Sequence, residues 1–295
     1  MLYILAAATL WGLVGPVAML ALREGIAPLE IAFWRAAIAG VLYAVHALIT
    51  GRWRLAVRDV PAIVAFGLIG VSLFYSSYLL AVEAGGAALA AVLLYTAPAW
   101  VALLSWSVLR ESPSRRRLLA VTATVAGVAL VATAGGGSVR ITPAALGWGL
   151  TAGASYALYY LFGRRYFSVY PAAAVLALAL PVGALGLFPL VTFHSRSQTA
   201  WIALLFIAVV PTYAAYLLYA VGLRRLEAAR AAVFATIEPV VAAAVAFAAF
   251  GERLAPVGYL GAAIVLGGVI LEAHGEGGTV GRTGSYDERD IDRDG

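Results

Sequence analysis

Residues 93–111 read LLYTAPAWVALLSWSVLRE, and residues 234–252 read FATIEPVVAAAVAFAAFGE. Each is an apolar run with a proline near its start and a glutamate at its end. Pro98 and Pro239 are separated by 141 residues, as are Glu111 and Glu252. Tyr75 and Tyr78 fall on Tyr216 and Tyr219 at that same spacing, and Trp11-Gly12-Leu13 is echoed by Trp148-Gly149-Leu150. Any one pair could arise by chance in so apolar a chain, but an ordered set marks an internal duplication. A helix needs about twenty apolar residues to cross the ~30 Å hydrocarbon core of a bilayer. The duplicated segment therefore reads as a membrane span.

The rest of the chain has the same character. Of 295 residues, 63% are hydrophobic and 12% charged, with a mean hydropathy of +0.93, whereas soluble domains carry about a quarter charged residues. Ten spans can be marked, at approximately 2–22, 28–49, 60–82, 86–109, 117–135, 143–163, 171–193, 199–222, 228–250 and 256–273. The first lacks a basic leader and a cleavage site and is expected to stay as a helix. Connections of a few residues leave no room for a soluble domain and predict antiparallel packing of sequential helices. The expected fold class is all-α integral membrane: ten transmembrane helices in two five-helix repeats, 1–136 and 143–273, around a central cavity. Because five is odd, the second repeat enters the membrane from the opposite side. Inverted halves of this kind recur in secondary transporters, where they exchange roles around a central site.

The arginines set the orientation. One set of loops carries Arg52, Arg54, Arg58, Arg110, Arg115, Arg116, Arg117, Arg164, Arg165, Arg224, Arg225 and Arg230, while the opposite set carries only Arg23, Arg140, Arg196 and Arg253. The positive-inside rule makes the rich side cytoplasmic and predicts a multi-pass protein of the cytoplasmic membrane with both termini inside. Residues 274–295 are rich in Gly, Thr, Ser and charge, with Glu276, Asp287, Glu288, Asp290, Asp292 and Asp294 against three arginines. They lack the apolar surface needed to order themselves and read as a disordered cytoplasmic tail.

Several chemistries are excluded. There is no cysteine, and His46, His194 and His274 fall in separate segments without ligand spacing, so no metal site and no cofactor is expected. No lysine is present, which rules out a phosphate-binding G-x-x-x-x-G-K-[ST] loop. The spans contain no aspartate and no serine–histidine pairing suited to an intramembrane hydrolase, so the chain is not expected to be an enzyme. The formal charge of +5 reflects membrane topology rather than nucleic-acid binding.

Arg35 lies about two turns inside the second span. A charge in mid-membrane costs about 2.5–3.5 kcal/mol on insertion scales, so it should face the bundle interior. It is a candidate for contact with a substrate or counter-ion, or for a pair with Glu30 one turn away. Glu238 stands near the middle of the ninth span, before Pro239, where the first half has Ala97. It could hold a substrate ammonium, take up a coupling proton or pair with Arg35. Pro98 and Pro239 are expected to kink their helices, at places suited to gating. Trp11, Tyr78, Tyr95 and Tyr216 lie deep enough to line a cavity for an apolar or aromatic solute. Glu111 and Glu252 read as interfacial groups, and Gly149-xxx-Gly153 and Gly40-xxx-Ala44 as helix-packing positions.

The early Trp-Gly, the Phe33-Trp34-Arg35 to Ala39 stretch, the Pro98 to Glu111 segment and Glu238-Pro239-Val240 running to Glu252 together resemble the drug/metabolite transporter superfamily, EamA type, over about residues 1–273. The resemblance implies a ten-helix bundle. Its central cavity would be formed by the first, third, fourth, sixth, eighth and ninth spans, in an exporter or exchanger of amino acids, metabolites or toxic compounds. Many relatives carry a lysine late in the first span, where this chain has Ala21, Leu22 and Arg23. The expected function is a secondary transporter moving a small metabolite, such as an amino acid, by alternating access, with protons as a candidate coupling ion. The alternatives are a passive channel, against which the missing potassium-type filter speaks, and a membrane scaffold that transports nothing.

Overall fold

A computed structural model of the chain describes residues 1–104, 106–107, 114–134, 140–193, 195–251, 253 and 255–274. Arg110, Glu111, His194, Glu252 and the expected tail beyond His274 lie outside the described residues. The first half comprises α1 (Leu2–Trp11), α2 (Val14–Arg23), α3 (Pro28–Ile49), α4 (Val60–Gly67), α5 (Phe74–Gly85), α6 (Ala87–Leu94), α7 (Ala97–Leu104) and α8 (Arg115–Thr133). The second comprises α9 (Pro143–Tyr166), α10 (Ala172–Leu187), α11 (Gln198–Ala208), α12 (Ala215–Leu223), α13 (Ala228–Ala235), α14 (Glu238–Phe250) and α15 (Pro256–Ala273). Prolines at the first turns of α3, α9 and α15 suit positions whose N–H would be unpaired anyway. Ser114, Thr142 and Ser197 cap α8, α9 and α11 by accepting from backbone N–H groups three residues on.

All regular structure among the described residues is helical, and eight helical stretches are long and apolar enough to cross a membrane. Two of the ten expected spans fall short of that measure. Residues 86–109 yield a shorter apolar stretch, Leu89–Leu104, broken at Tyr95 and Thr96. The 24-residue α9 is long enough, but Thr151, Ser155 and four tyrosines make it less apolar.

Sequential spans touch, as α5 does α6 and α6 does α8, but they are not the main neighbours. The most extensive contacts join the two halves instead: α8 with α15, α3 with α10, α5 with α9, and α1 with α12. Small residues permit this, as they must where lipid removes the hydrophobic drive between helices. Gly40 lies against Pro181, and Gly149 and Gly153 against Leu93. α8 and α15 approach backbone to backbone, where a Cβ on Gly261 would stand 2.6 Å from the Gly127 carbonyl oxygen. Gly261→Leu should force these helices apart and cost about 1–3 kcal/mol, visible as a lower melting temperature in detergent. An unchanged melting temperature would show that this contact does not hold the halves together.

Two irregularities recur at the spacing of 141. Leu68–Leu73 between α4 and α5, and Val209–Ala214 between α11 and α12, are π-helical. The helix breaks at Tyr95–Thr96 and at Thr236–Ile237 are likewise equivalent. Pro98 and Pro239 therefore do not kink continuous helices. Each is the second residue of a new helical segment, where a missing N–H costs nothing. The Trp-Gly-Leu echo has no structural counterpart, for the chain breaks at Gly12–Leu13 whereas α9 runs unbroken through Trp148.

The two ends of the bundle are packed differently. At the arginine-rich end α7 lies on α13, Ile4 of α1 fills the space beside Gly222 of α12, and every residue of α13 except Arg230 is buried. Arg117 pairs with Glu227, and Glu272 receives Arg117 at 3.5 Å and Arg230 at 3.1 Å. At the other end, α14 has no buried residue among those described, and α6 and α14 make no comparable contact.

Candidate functional site

Arg35 of α3 is only 8% exposed. Its Nε donates to Thr212 Oγ1 at 3.2 Å, and its guanidinium carbon lies 5.1 Å from the centre of the Tyr75 ring. Thr212 sits in the π-helical segment and donates in turn to the Ile207 carbonyl five residues earlier, at 2.8 Å. The wider turn gives the threonine a fixed acceptor orientation toward the arginine. Glu30 does not pair with Arg35. It is fully buried and bonds to Arg196, whose guanidinium also faces Trp34 at 4.8 Å and Trp201 at 5.3 Å. That ion pair fastens the segment before α11 onto α3.

Glu238 opens α14 directly after the Thr236–Ile237 break, so its carboxylate projects from a helix start rather than from mid-helix. A Cβ on Gly12 would come within 3.0 Å of the Glu238 carbonyl oxygen, so the interruption of the first span makes room for this start. The Tyr95 hydroxyl is set toward the Glu238 carboxylate, and Tyr78 and Tyr156 lie within its electrostatic reach. Arg35 and Glu238 also feel one another, yet no ion pair within 4.0 Å joins them among the described residues. Glu238, Tyr75, Tyr78 and Tyr156 keep accessible surface deep in the bundle, so these side chains border an interior space.

Toward the arginine-rich end this space is floored by aromatic rings. Trp11 lies 5.7 Å from Tyr216 and 5.3 Å from Tyr219, and Tyr159 packs on both tyrosines at 5.3 and 5.4 Å. Among the described residues, Trp11 Nε1 and the hydroxyls of Tyr159 and Tyr219 are buried without a hydrogen-bond partner.

The residues singled out in the sequence thus gather in one place. Arg35, Glu238, Trp11, Tyr78, Tyr95 and Tyr216 surround it, and Pro98 and Pro239 follow the two breaks beside it. Thr212, Tyr75, Tyr156 and Tyr159 also belong to the cluster and were not picked out. The available signal for Thr212 was a hydroxyl in an apolar run whose counterpart in the first half is Val71. Among the described residues, no three His, Asp or Glu side chains converge as metal ligands would.

Comparison with known proteins places the chain in a family. The chain is 29% identical to the uncharacterized transporter YwfM of Bacillus subtilis over 92% of both chains. It is 26% identical to the uncharacterized inner membrane transporter YicL of Salmonella typhimurium, over 92% of this chain and 94% of that one. A probable terminal-alkyne amino-acid exporter of Streptantibioticus cattleyicolor is 26% identical over 84% of each chain. A solved crystal structure superposes with a TM-score of 0.80 over 92% of this chain and 94% of that one at 17% identity, which establishes the shared fold alone. The EamA-like transporter family matches residues 1–133 and 143–272. With helix as the regular structure of the described residues, several spans apolar enough for a bilayer and named transporters as relatives over nearly its full length, this multi-pass membrane protein is a transporter rather than an enzyme and belongs to the EamA-like transporter family.

Proposed function

We propose that this transporter carries a small zwitterionic metabolite, an amino acid with an apolar or aromatic side chain, across the cytoplasmic membrane by alternating access. The observation that carries this reading is the separation of Arg35 from Glu238. Two opposite charges, one from each half of the chain, border one interior space without closing on each other. A carboxylate bound at Arg35 and an ammonium at Glu238 would satisfy both, and the surrounding tyrosines with Trp11 suit a flat or apolar side chain. The name of the Streptantibioticus relative points to the same substrate class.

The mechanism follows from two inverted five-helix repeats, residues 1–136 and 143–273. Their supports are the π-helical segments and helix breaks that recur at one spacing, and the pairing of α3 with α10 and α8 with α15. Under inversion, the α7–α13 contact at the arginine-rich end corresponds to an α6–α14 contact at the other end. The first is extensive here and the second slight at most, which we read as a state open on the arginine-poor side. With the arginine-rich side and both termini in the cytoplasm, this is the outward-open state. Closing α6 on α14 while opening α7 from α13 would carry the substrate to the other side, with the segments after Pro98 and Pro239 moving as units.

The test is uptake of a labelled amino-acid panel into proteoliposomes, with and without an imposed proton gradient. Saturable uptake that unlabelled substrate competes away is expected. Flux proportional to concentration throughout would indicate a passive channel, and no flux for any compound would favour a scaffold.

A further inference from the structure

We propose that the groove where α3, α10 and α12 meet at the arginine-rich end binds the headgroup of an anionic phospholipid from the adjoining leaflet. Two adjacent cavities form it. One, of about 180 Å³, lies between His46, Thr50, Arg52, Ala172, Val221 and Arg224. The other, of about 290 Å³, shares His46 and Thr50 and runs along α3 past Val45 and Ile49 to Tyr213.

The lining divides by chemistry. Val45, Ile49 and Val221 are exposed at 46%, 81% and 37%, on spans whose outward surface faces hydrocarbon, so they form a wall for acyl chain. Arg52 and Arg224 stand at the helix ends, where a headgroup would lie. Arg224 is held in place by its Nε, which donates to the Phe167 carbonyl at 2.6 Å, and by one terminal nitrogen, which donates to the Tyr170 carbonyl at 3.2 Å. Its other terminal nitrogen remains for a phosphate oxygen. Asp59, the acid brought close by Tyr170, accepts from that residue's hydroxyl at 2.5 Å, and among the described residues no ion pair within 4.0 Å joins it to Arg52 or Arg224. An apolar wall running up to two cations matches a phospholipid, whereas a free anion would use only the rim.

The floor of the groove connects it to the transport centre. His46 Nδ1 lies 2.7 Å from the Tyr213 hydroxyl, and the Tyr43 hydroxyl donates to the Tyr213 carbonyl at 2.6 Å. Tyr213 directly follows Thr212, the partner of Arg35, in the same π-helical segment. A lipid held here therefore bears on the segment that positions Arg35. The proposal rests on membrane embedding and not on the substrate reading, so a failed uptake experiment leaves it untouched.

The test is native mass spectrometry of the full chain in mild detergent, offered phosphatidylglycerol and phosphatidylcholine with identical acyl chains. The wild type should retain phosphatidylglycerol preferentially. Arg52→Gln should weaken that retention about fivefold, since one arginine at a lipid surface contributes about 1 kcal/mol. Val45→Trp, which fills the groove without altering charge, should weaken it too. Millimolar inorganic phosphate should not displace the lipid. Equal retention of both lipids, unchanged retention in Arg52→Gln and Val45→Trp, or displacement by inorganic phosphate would each overturn the assignment, the last by showing a site for soluble anions.

Discussion

Arg35→Gln will lower kcat/KM for a zwitterionic substrate by about 10- to 100-fold, the loss expected when a charge-assisted hydrogen bond worth about 1.5–3 kcal/mol is removed. Glutamine can still donate to Thr212, so the contact between α3 and the π-helical segment Val209–Ala214 survives and the melting temperature should change little. Arg35→Lys should recover part of the activity, because an ammonium restores the charge but not the planar fork that grips a carboxylate through two bonds. The informative comparison is a decarboxylated analogue of the transported compound. If Arg35 holds the carboxylate, the analogue will be transported poorly by the wild type and no worse by Arg35→Gln. Equal losses for both compounds would show that Arg35 shapes the bundle and leaves the carboxylate to another group.

Glu238→Gln should act on the opposite end of the substrate and on coupling. Glutamine keeps the size of the side chain and its approach to Tyr95 but can neither carry a negative charge nor exchange a proton. Uptake of amine-bearing substrates should fall by about 10-fold or more, from the lost ion contact in a site shielded from water. The remaining transport should no longer respond to an imposed proton gradient. A gradient response equal to the wild type's would remove Glu238 from coupling, and an unchanged KM for amines would remove it from recognition. Because Ala97 occupies the equivalent place in the first half, Ala97→Glu offers a complementary test. A second carboxylate at the symmetric break should compete for the ammonium and raise KM if both breaks border one cavity.

Both expectations arise from residues legible in the sequence, because a charge within an apolar run is expensive and therefore conspicuous. The same logic did not reach Glu272 and Glu227, which stand at span ends where carboxylates are common. Only folding shows that they lock three helices together with Arg117 and Arg230. Thr212 escaped for a related reason. A hydroxyl in a span can bond its own backbone, so nothing in its neighbourhood indicated that an arginine 177 residues earlier would bond to it. The prolines were visible and their positions informative, but the expected kinks are breaks. Whether a proline bends a helix or begins one depends on where the preceding segment ends, which neighbouring helices decide.

By itself the sequence determined the membrane class, the approximate places of eight spans, the recurrence at a spacing of 141 residues and the set of charged and aromatic residues that gather around Arg35 and Glu238. Those properties follow from local composition and period: a bilayer imposes a length on every apolar run, and a repeat copies its irregularities along with its regularities. Tertiary structure alone decided that the principal contacts run between the halves, that Glu30 answers Arg196 rather than Arg35, and that Arg35 and Glu238 stand apart. The physical reason is that all faces of such helices are apolar. Hydrophobic pattern therefore does not choose a neighbour, and the choice falls to small residues such as Gly127 and Gly261 and to a few polar contacts.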